Sequence, residues 1–231
     1  MAIYEISKNE LRRLVEGDFH TSGLKERSDL QRLLRTQIDA IADDLYILTE
    51  EFSDWEESKR RIDLLALDRS AKLVVVELKR TNDGSYMELQ ALRYAAMVST
   101  MTFERAVQIH SDFLRGINED PDKAQSRILE FLDWDEADPE SFAIETRIIL
   151  VAADFGKELT TAVMWLNERD LDITCVRIKP YRDGNHTFID IQQIIPFLKR
   201  AIIRYSCGKR KQRNESTGPN VMIYVTSFGK D

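Results

Sequence analysis

Two short apolar runs, each interrupted by a carboxylate, dominate the hydrophobic pattern of this chain. Arg61-Ile62-Asp63-Leu64-Leu65-Ala66-Leu67 is followed by the polar stretch Asp68-Arg69-Ser70-Ala71-Lys72, and then by Leu73-Val74-Val75-Val76-Glu77-Leu78-Lys79-Arg80. Apolar runs of this length, separated by a connection of hairpin length, predict two buried antiparallel strands. A third strand is expected just before them, at 45–52, where Tyr46, Ile47 and Leu48 cluster. Helical spacing of Leu30, Leu33, Leu34, Ile38 and Ile41 predicts a helix over about 24–42. The polar turn 81–85, with Ser85 placed to cap and Glu88 three residues on, predicts a second helix over about 87–101.

The remainder reads as a second α/β unit behind an insert. Residues 103–132 are amphipathic at helical period, with a break near Gly116 and Pro121, and an acidic loop follows to 140. The continuous apolar run 147–153 suits a buried strand. A helix over 157–169, a strand over 173–178 and a hairpin at Asp183-Gly184-Asn185 leading into 186–191 complete the unit. A short helix over 194–205 is expected next. The basic cluster 209–213 suits either a solvated tail or a nucleic-acid backbone, and 221–225 suits an extra strand or the start of a further domain. The order helix, three-strand meander, helix, helical insert, strand, helix, strands predicts an α/β fold with a mixed central sheet flanked by helices. The expected organisation is an N-terminal extension (1–23), one α/β domain (24–195) with a helical and acidic insert at about 103–140, and a C-terminal helix and basic tail (196–231).

Composition narrows the setting. The chain has 231 residues, 43% of them hydrophobic, enough for one sizeable core. The net charge of -7 argues against binding nucleic acid by bulk charge alone. The stretch 118–140, however, carries nine acids against Lys123 and Arg127, which accounts for that whole excess. The rest of the chain is neutral overall, and a local basic surface remains open to it. Cys175 and Cys207 form no CxxC and read as reduced thiols. The start lacks the apolar core of a signal peptide, and no run is long enough to span a bilayer, so a cytoplasmic protein free of membrane is expected. His20, His110 and His186 have no metal-ligand spacing and read as surface or loop histidines. Trp55, Trp134 and Trp165 read as packing residues.

Charged positions inside the two apolar runs carry the candidate chemistry. Successive strand side chains alternate faces, so Glu77 and Lys79 share one face and Leu78 takes the other. Pairing the runs brings Asp63 beside Glu77. Two carboxylates and an ammonium at one spot suit a Mg²⁺ or Mn²⁺ site for phosphodiester hydrolysis, since such ions take oxygen ligands. Asp63 and Glu77 are the ligand candidates, with the Leu78 backbone carbonyl as a third oxygen. Lys79 is placed to orient or deprotonate water or to neutralise a phosphate. Glu26 could reach the ion through water, or serve only as a helix N-terminal acid. Gln90, Arg93 and Tyr94 fall on one helix face, where Arg93 could hold a phosphate. Lys59-Arg60-Arg61 stands ahead of Asp63 to grip substrate. A salt bridge from Glu77 to Lys79 or Arg80 is the plainer alternative.

Glu26, then Arg61-Ile62-Asp63-Leu64-Leu65, then Val75-Val76-Glu77-Leu78-Lys79-Arg80, then Gln90-Ala91-Leu92-Arg93-Tyr94 together resemble the PD-(D/E)XK nuclease superfamily. The likeness is nearest to NucS-type endonucleases and to uncharacterised bacterial proteins with the same core. It covers about 24–101 well and 147–191 less specifically, and Ile62 stands where the family's proline would. The resemblance implies a restriction-endonuclease-like αβββαβ core plus the helical insert. It implies Asp63, Glu77 and Lys79 as catalytic core, supported by Glu26 and Gln90, with Mg²⁺ or Mn²⁺ as cofactor. Arg61, Arg80, Arg93 and Tyr94 are the candidates for contact with nucleic acid. The implied function is metal-dependent cleavage of DNA in repair, restriction or phage defence. The alternatives are a non-catalytic nucleic-acid- or protein-binding module and an RNA-directed nuclease. A homodimer or a protein partner is a further expectation, given the acidic total.

Overall fold

Strand pairing places both apolar runs at the centre of one mixed sheet. The computed structural model describes residues 2–17, 19, 26–53, 61–79, 87–184 and 186–196. The side chains of Glu26, Arg27 and Ser28 lie outside that description. The strands are β1 (Tyr4–Ile6), β2 (Leu11–Arg13), β3 (Val15–Glu16), β4 (Leu45–Phe52), β5 (Ile62–Asp68), β6 (Leu73–Lys79), β7 (Thr146–Ala152), β8 (Asp172–Asp183) and β9 (His186–Ile195). The helices are α1 (Glu26–Thr36), α2 (Met87–Val98), α3 (Phe103–Gly116), α4 (Ala124–Leu132) and α5 (Lys157–Asn167). Strands β1 and β2 form a separate two-stranded sheet. The main sheet runs β3-β8-β7-β6-β5-β4, with β9 on the other edge of β8. Pairs β4–β5 and β5–β6 are antiparallel, β6–β7 and β7–β8 are parallel, and β8–β9 is antiparallel. The expected fold class, a mixed sheet with helices on both faces, is therefore the observed one.

Alternation explains the two layers. Leu73 and Val75 of β6 join Leu65, Leu67, Ile148, Leu150 and Cys175 in the core under α2, α3, α4 and α5. Val74, Val76 and Leu78 join Leu64, Ala66, Ile149 and Val151 in the core under α1. Every residue of β5 is buried, as a central strand covered on both faces requires. Each fully buried Leu, Ile or Val contributes about 1.5–3 kcal/mol relative to exposure.

The β5–β6 turn is held by its own first residue. Asp68 Oδ1 accepts the backbone N–H of Ser70 at 2.9 Å and of Lys72 at 3.0 Å. Asp68 is only 5% exposed, and Ala71 takes a left-handed backbone (φ 58) to close the loop. Asp68→Ala is expected to lower stability by about 1–3 kcal/mol, because two part-buried turn N–H donors lose their acceptor. Urea denaturation measures this; a loss below ~0.5 kcal/mol would show that the turn holds itself.

Several boundaries differ from the sequence expectation. The first helix ends at Thr36 and gives way to a 3-10 turn over Ile38–Ala40. Strand β8 extends to Asp183, well past 178, because β3 pairs with Tyr181 and Arg182 while β9 pairs along the other edge. Cross-strand hydrogen bonds there sustain a strand whose sequence alternation has faded. Ile194 and Ile195, expected to open a helix, belong to β9. The chain divides into two units, Met1–Lys199 and Arg200–Asp231. The second lies wholly outside the described residues, and with it the tail features at 209–213 and 221–225 and Cys207. His20, Trp55 and Ser85 are also outside.

Other side chains refine the picture. Cys175 is buried, and burial pushes its thiol up to about 12, so it is an inert core residue. Trp165 is not a packing residue of the core: it is 52% exposed, with the Arg169 guanidinium 3.7 Å from its ring centroid. No helix among the described residues is long and apolar enough to cross a membrane.

Candidate functional site

Asp63 and Glu77 sit where the β5–β6 ladder ends. The pairing runs from Leu67↔Leu73 to Leu64↔Val76, so Asp63 and Glu77 are the next residues along their strands. Both are 1% exposed. The Leu78 backbone N–H donates to Asp63 Oδ2 at 2.8 Å, fixing one carboxylate against the neighbouring strand. A strand residue directs its N–H and C=O toward the same neighbour. The Leu78 carbonyl therefore also faces β5, beside Asp63, while the Leu78 side chain is buried in the α1-side core.

Glu77 is fixed from the helix side. Gln90 Nε2, one turn into α2, donates to Glu77 Oε2 at 3.1 Å and reaches the Tyr94 hydroxyl at 3.3 Å. The i, i+4 spacing of Gln90 and Tyr94 on α2 makes this possible. Tyr94 itself is 3% exposed and belongs to the core. Its place corrects the expectation of a nucleic-acid contact: it sits inside, and its hydroxyl steadies Gln90. Lys79 ends β6 on the same face as Glu77 and is half-buried. Arg93 is exposed on α2. Arg61 is exposed ahead of β5 and lies 3.7 Å from Glu51. Glu26 begins α1, with its side chain outside the described residues, and Arg80 is outside as well. Thus Leu78 holds Asp63, Gln90 holds Glu77, Lys79 shares the Glu77 face, and Arg61 and Arg93 are exposed.

Among the described residues, no three His, Cys, Asp or Glu side chains gather as a metal-holding group. Among the described residues the carboxylates established at this spot are Asp63 and Glu77. An open cleft of about 450 Å³ lies elsewhere, between the end of β4 and α3, lined in part by Glu50, Glu51, Arg105 and Phe113. Asp63, Glu77, Lys79 and Gln90 do not line it.

The structure also corrects the reading of His110. It is 1% exposed on α3, not at the surface. Strand β4 slips register between Ile47 and Thr49, which leaves Leu48 as the extra residue of a bulge. His110 Nδ1 lies 2.9 Å from the Leu48 carbonyl, and its Nε2 lies 2.8 Å from the Tyr46 hydroxyl. A carbonyl only accepts, so Nδ1 carries the proton and donates, while Nε2 accepts from Tyr46. Tyr46 and His110 also meet edge to face, with centroids 5.1 Å apart. The α3 pattern held the signal: His110 lies four residues from both Ala106 and Leu114, on the buried stripe of that helix.

No protein-family model matches the sequence, and no curated protein matches it. Two solved structures are similar. One is a repair endonuclease from Pyrococcus abyssi, 16% identical, over 66% of this chain and 47% of that one, with a TM-score of 0.38. The other is an EndoMS-dsDNA2 complex, 16% identical, over 75% of this chain and 49% of that one, with a TM-score of 0.36. The chain spans about half the length of each. Likenesses of this size leave the chemistry to be argued from the residues themselves.

Proposed function

We propose that this protein is a metal-dependent nuclease that hydrolyses phosphodiester bonds of DNA. The observation that carries the reading is the pair of buried carboxylates, Asp63 and Glu77, at the ends of adjacent strands, with Lys79 on the Glu77 face. Burying two carboxylates side by side is costly unless a cation or strong donors compensate them. The donor set fits Mg²⁺ or Mn²⁺: oxygen ligands alone, held by strands, with no thiolate or imidazole among them. Asp63, Glu77 and the Leu78 carbonyl are the residues that would hold the ion, and Glu26 would reach it through water. When bound, the ion supplies charge for the scissile phosphate and acidifies water.

The chain's own residues divide the remaining work. The Leu78 N–H orients the Asp63 carboxylate, and Gln90 orients Glu77. Lys79 presents a cation or, once deprotonated, a base to the attacking water and its phosphate. DNA as substrate is supported by the order of the Asp63, Glu77-x-Lys79 and Gln90 motifs, which resembles the PD-(D/E)XK nucleases.

The test is incubation of the protein with single-stranded, double-stranded and branched DNA, and with matched RNA, in Mg²⁺ or Mn²⁺ and in chelator. Cleavage of at least one DNA form with the ion and none in chelator is the expected result. Cleavage of RNA alone would move the substrate to RNA. No cleavage of any form, with no Mn²⁺ binding by calorimetry, would overturn the reading in favour of a non-catalytic binding module.

A further inference from the structure

The main sheet carries a row of four in-register positions at the level of Lys79. Lys79 pairs with Ala152 and Ala152 with Arg177, both parallel, and Arg177 pairs with Gln192 across the antiparallel β8–β9 ladder. In-register residues point to the same face. Cys175, two residues before Arg177, belongs to the core under α2, as do Leu73 and Val75, which share the face of Glu77 and Lys79. Arg177 therefore emerges on the face that holds the carboxylates, two strands from Lys79, with only the small Ala152 between them.

Arg177 is prepared to hold something. One of its terminal nitrogens donates to Gln192 Oε1 at 2.6 Å, which fixes the guanidinium plane. Its Nε is buried with no hydrogen-bond acceptor among the described residues. No carboxylate of the described residues lies within ion-pairing distance of it. Lys179, on the same strand and face, shows the contrast: Glu16 meets its ammonium at 2.6 Å. Glu16 feels the Arg177 charge but ion-pairs with Lys179 instead; a half-buried guanidinium held by a neutral amide is left to meet an anion, and its fork suits phosphate.

We infer that Arg177, oriented by Gln192, binds a backbone phosphate of the nucleic-acid strand that enters the Asp63–Glu77 site. Two strand spacings separate Lys79 from Arg177, about 9.5 Å. Arg177 thus serves a nearby phosphate of the same strand as the one beside Lys79. It is a substrate-binding residue, with Gln192 as its positioning residue. The inference rests on the proposed nuclease reading but makes a binding claim that is measured separately.

The experiment is a salt titration of affinity for a DNA oligonucleotide without divalent cation, alongside cleavage rates with it. Arg177→Ala is expected to weaken binding about tenfold and to reduce the slope of log K against log salt by about 1. It should raise KM while leaving kcat within twofold. Arg177→Lys should keep the slope but lose part of the affinity, and Gln192→Ala should raise KM with the slope unchanged. Arg177→Gln replaces the alanine variant if that one does not fold. A wild-type slope and affinity in Arg177→Ala overturns the inference, as does a loss confined to kcat. Failure of all three Arg177 variants to fold overturns it too, since it would mark a structural residue. A wild type that binds no DNA also overturns it. A wild type that binds DNA through Arg177 but cuts nothing supports the inference and sinks the nuclease reading alone.

Discussion

Asp63→Asn is expected to leave the chain folded and to lower DNA cleavage by about a thousandfold or more. The amide keeps an oxygen to accept the Leu78 N–H, which in the wild type donates to Asp63 at 2.8 Å, so the β5–β6 junction survives. What is lost is one of the two carboxylate charges. Groups that act as a unit fail together, so Lys79→Ala should cost a similar factor, and the double variant little more than either alone. Single-turnover cleavage rates and thermal melts of the three variants make the comparison. Cleavage within tenfold of wild type in Asp63→Asn would remove Asp63 from the site. Additive losses in the double variant would mean that Asp63 and Lys79 serve different steps.

His110→Ala should be the most destabilising single change outside the apolar core, by about 3–5 kcal/mol. It leaves the Leu48 carbonyl without its donor and the Tyr46 hydroxyl proton without its acceptor, at about 1–3 kcal/mol each, although Arg127 still meets the Tyr46 oxygen, and opens a cavity between α3 and β4. Urea denaturation reads the loss; a change under ~1 kcal/mol would mean that water replaces the imidazole at both contacts.

The same residue gives a pH dependence of definite sign. Burial, first, and the nearby Arg127 cation hold the His110 pKa below its ordinary 6.5, against a weaker upward pull from the Leu48 carbonyl. The unfolded chain therefore takes up a proton at a higher pH than the folded one. The stability is fully present above about 6.5 and is lost as pH falls from there toward the lower folded value. His110→Gln should flatten that part of the stability–pH curve. An unchanged curve would assign the dependence to other groups.

Much of the central sheet was legible along the chain. The bounds of β5 and β6 follow from continuous apolar runs broken by polar turns, because central strands are buried on both faces. The shared face of Glu77 and Lys79 follows from the two-residue period alone. The edges were harder to read. Strand β8 reaches Asp183 through Lys179 and Arg182, past the expected end at 178, because β3 and β9 supply its hydrogen bonds. Tyr94 read as a nucleic-acid contact on a polar helix edge with Gln90, yet the packing of α2 on β6 and β7 buries it.

By itself, then, the sequence determined the order of strands and helices from α1 to α2, the hairpin that carries Asp63 and Glu77, and the face on which Lys79 lies. These depend on local period and on which side chains water rejects. Tertiary structure alone decided that Leu78 donates to Asp63, that His110 serves a bulged carbonyl, and that Arg177 stands in register with Lys79 two strands away. Each of these joins residues distant in sequence through sheet register or helix docking. Register is a property of the paired strands, and no single stretch of chain encodes it.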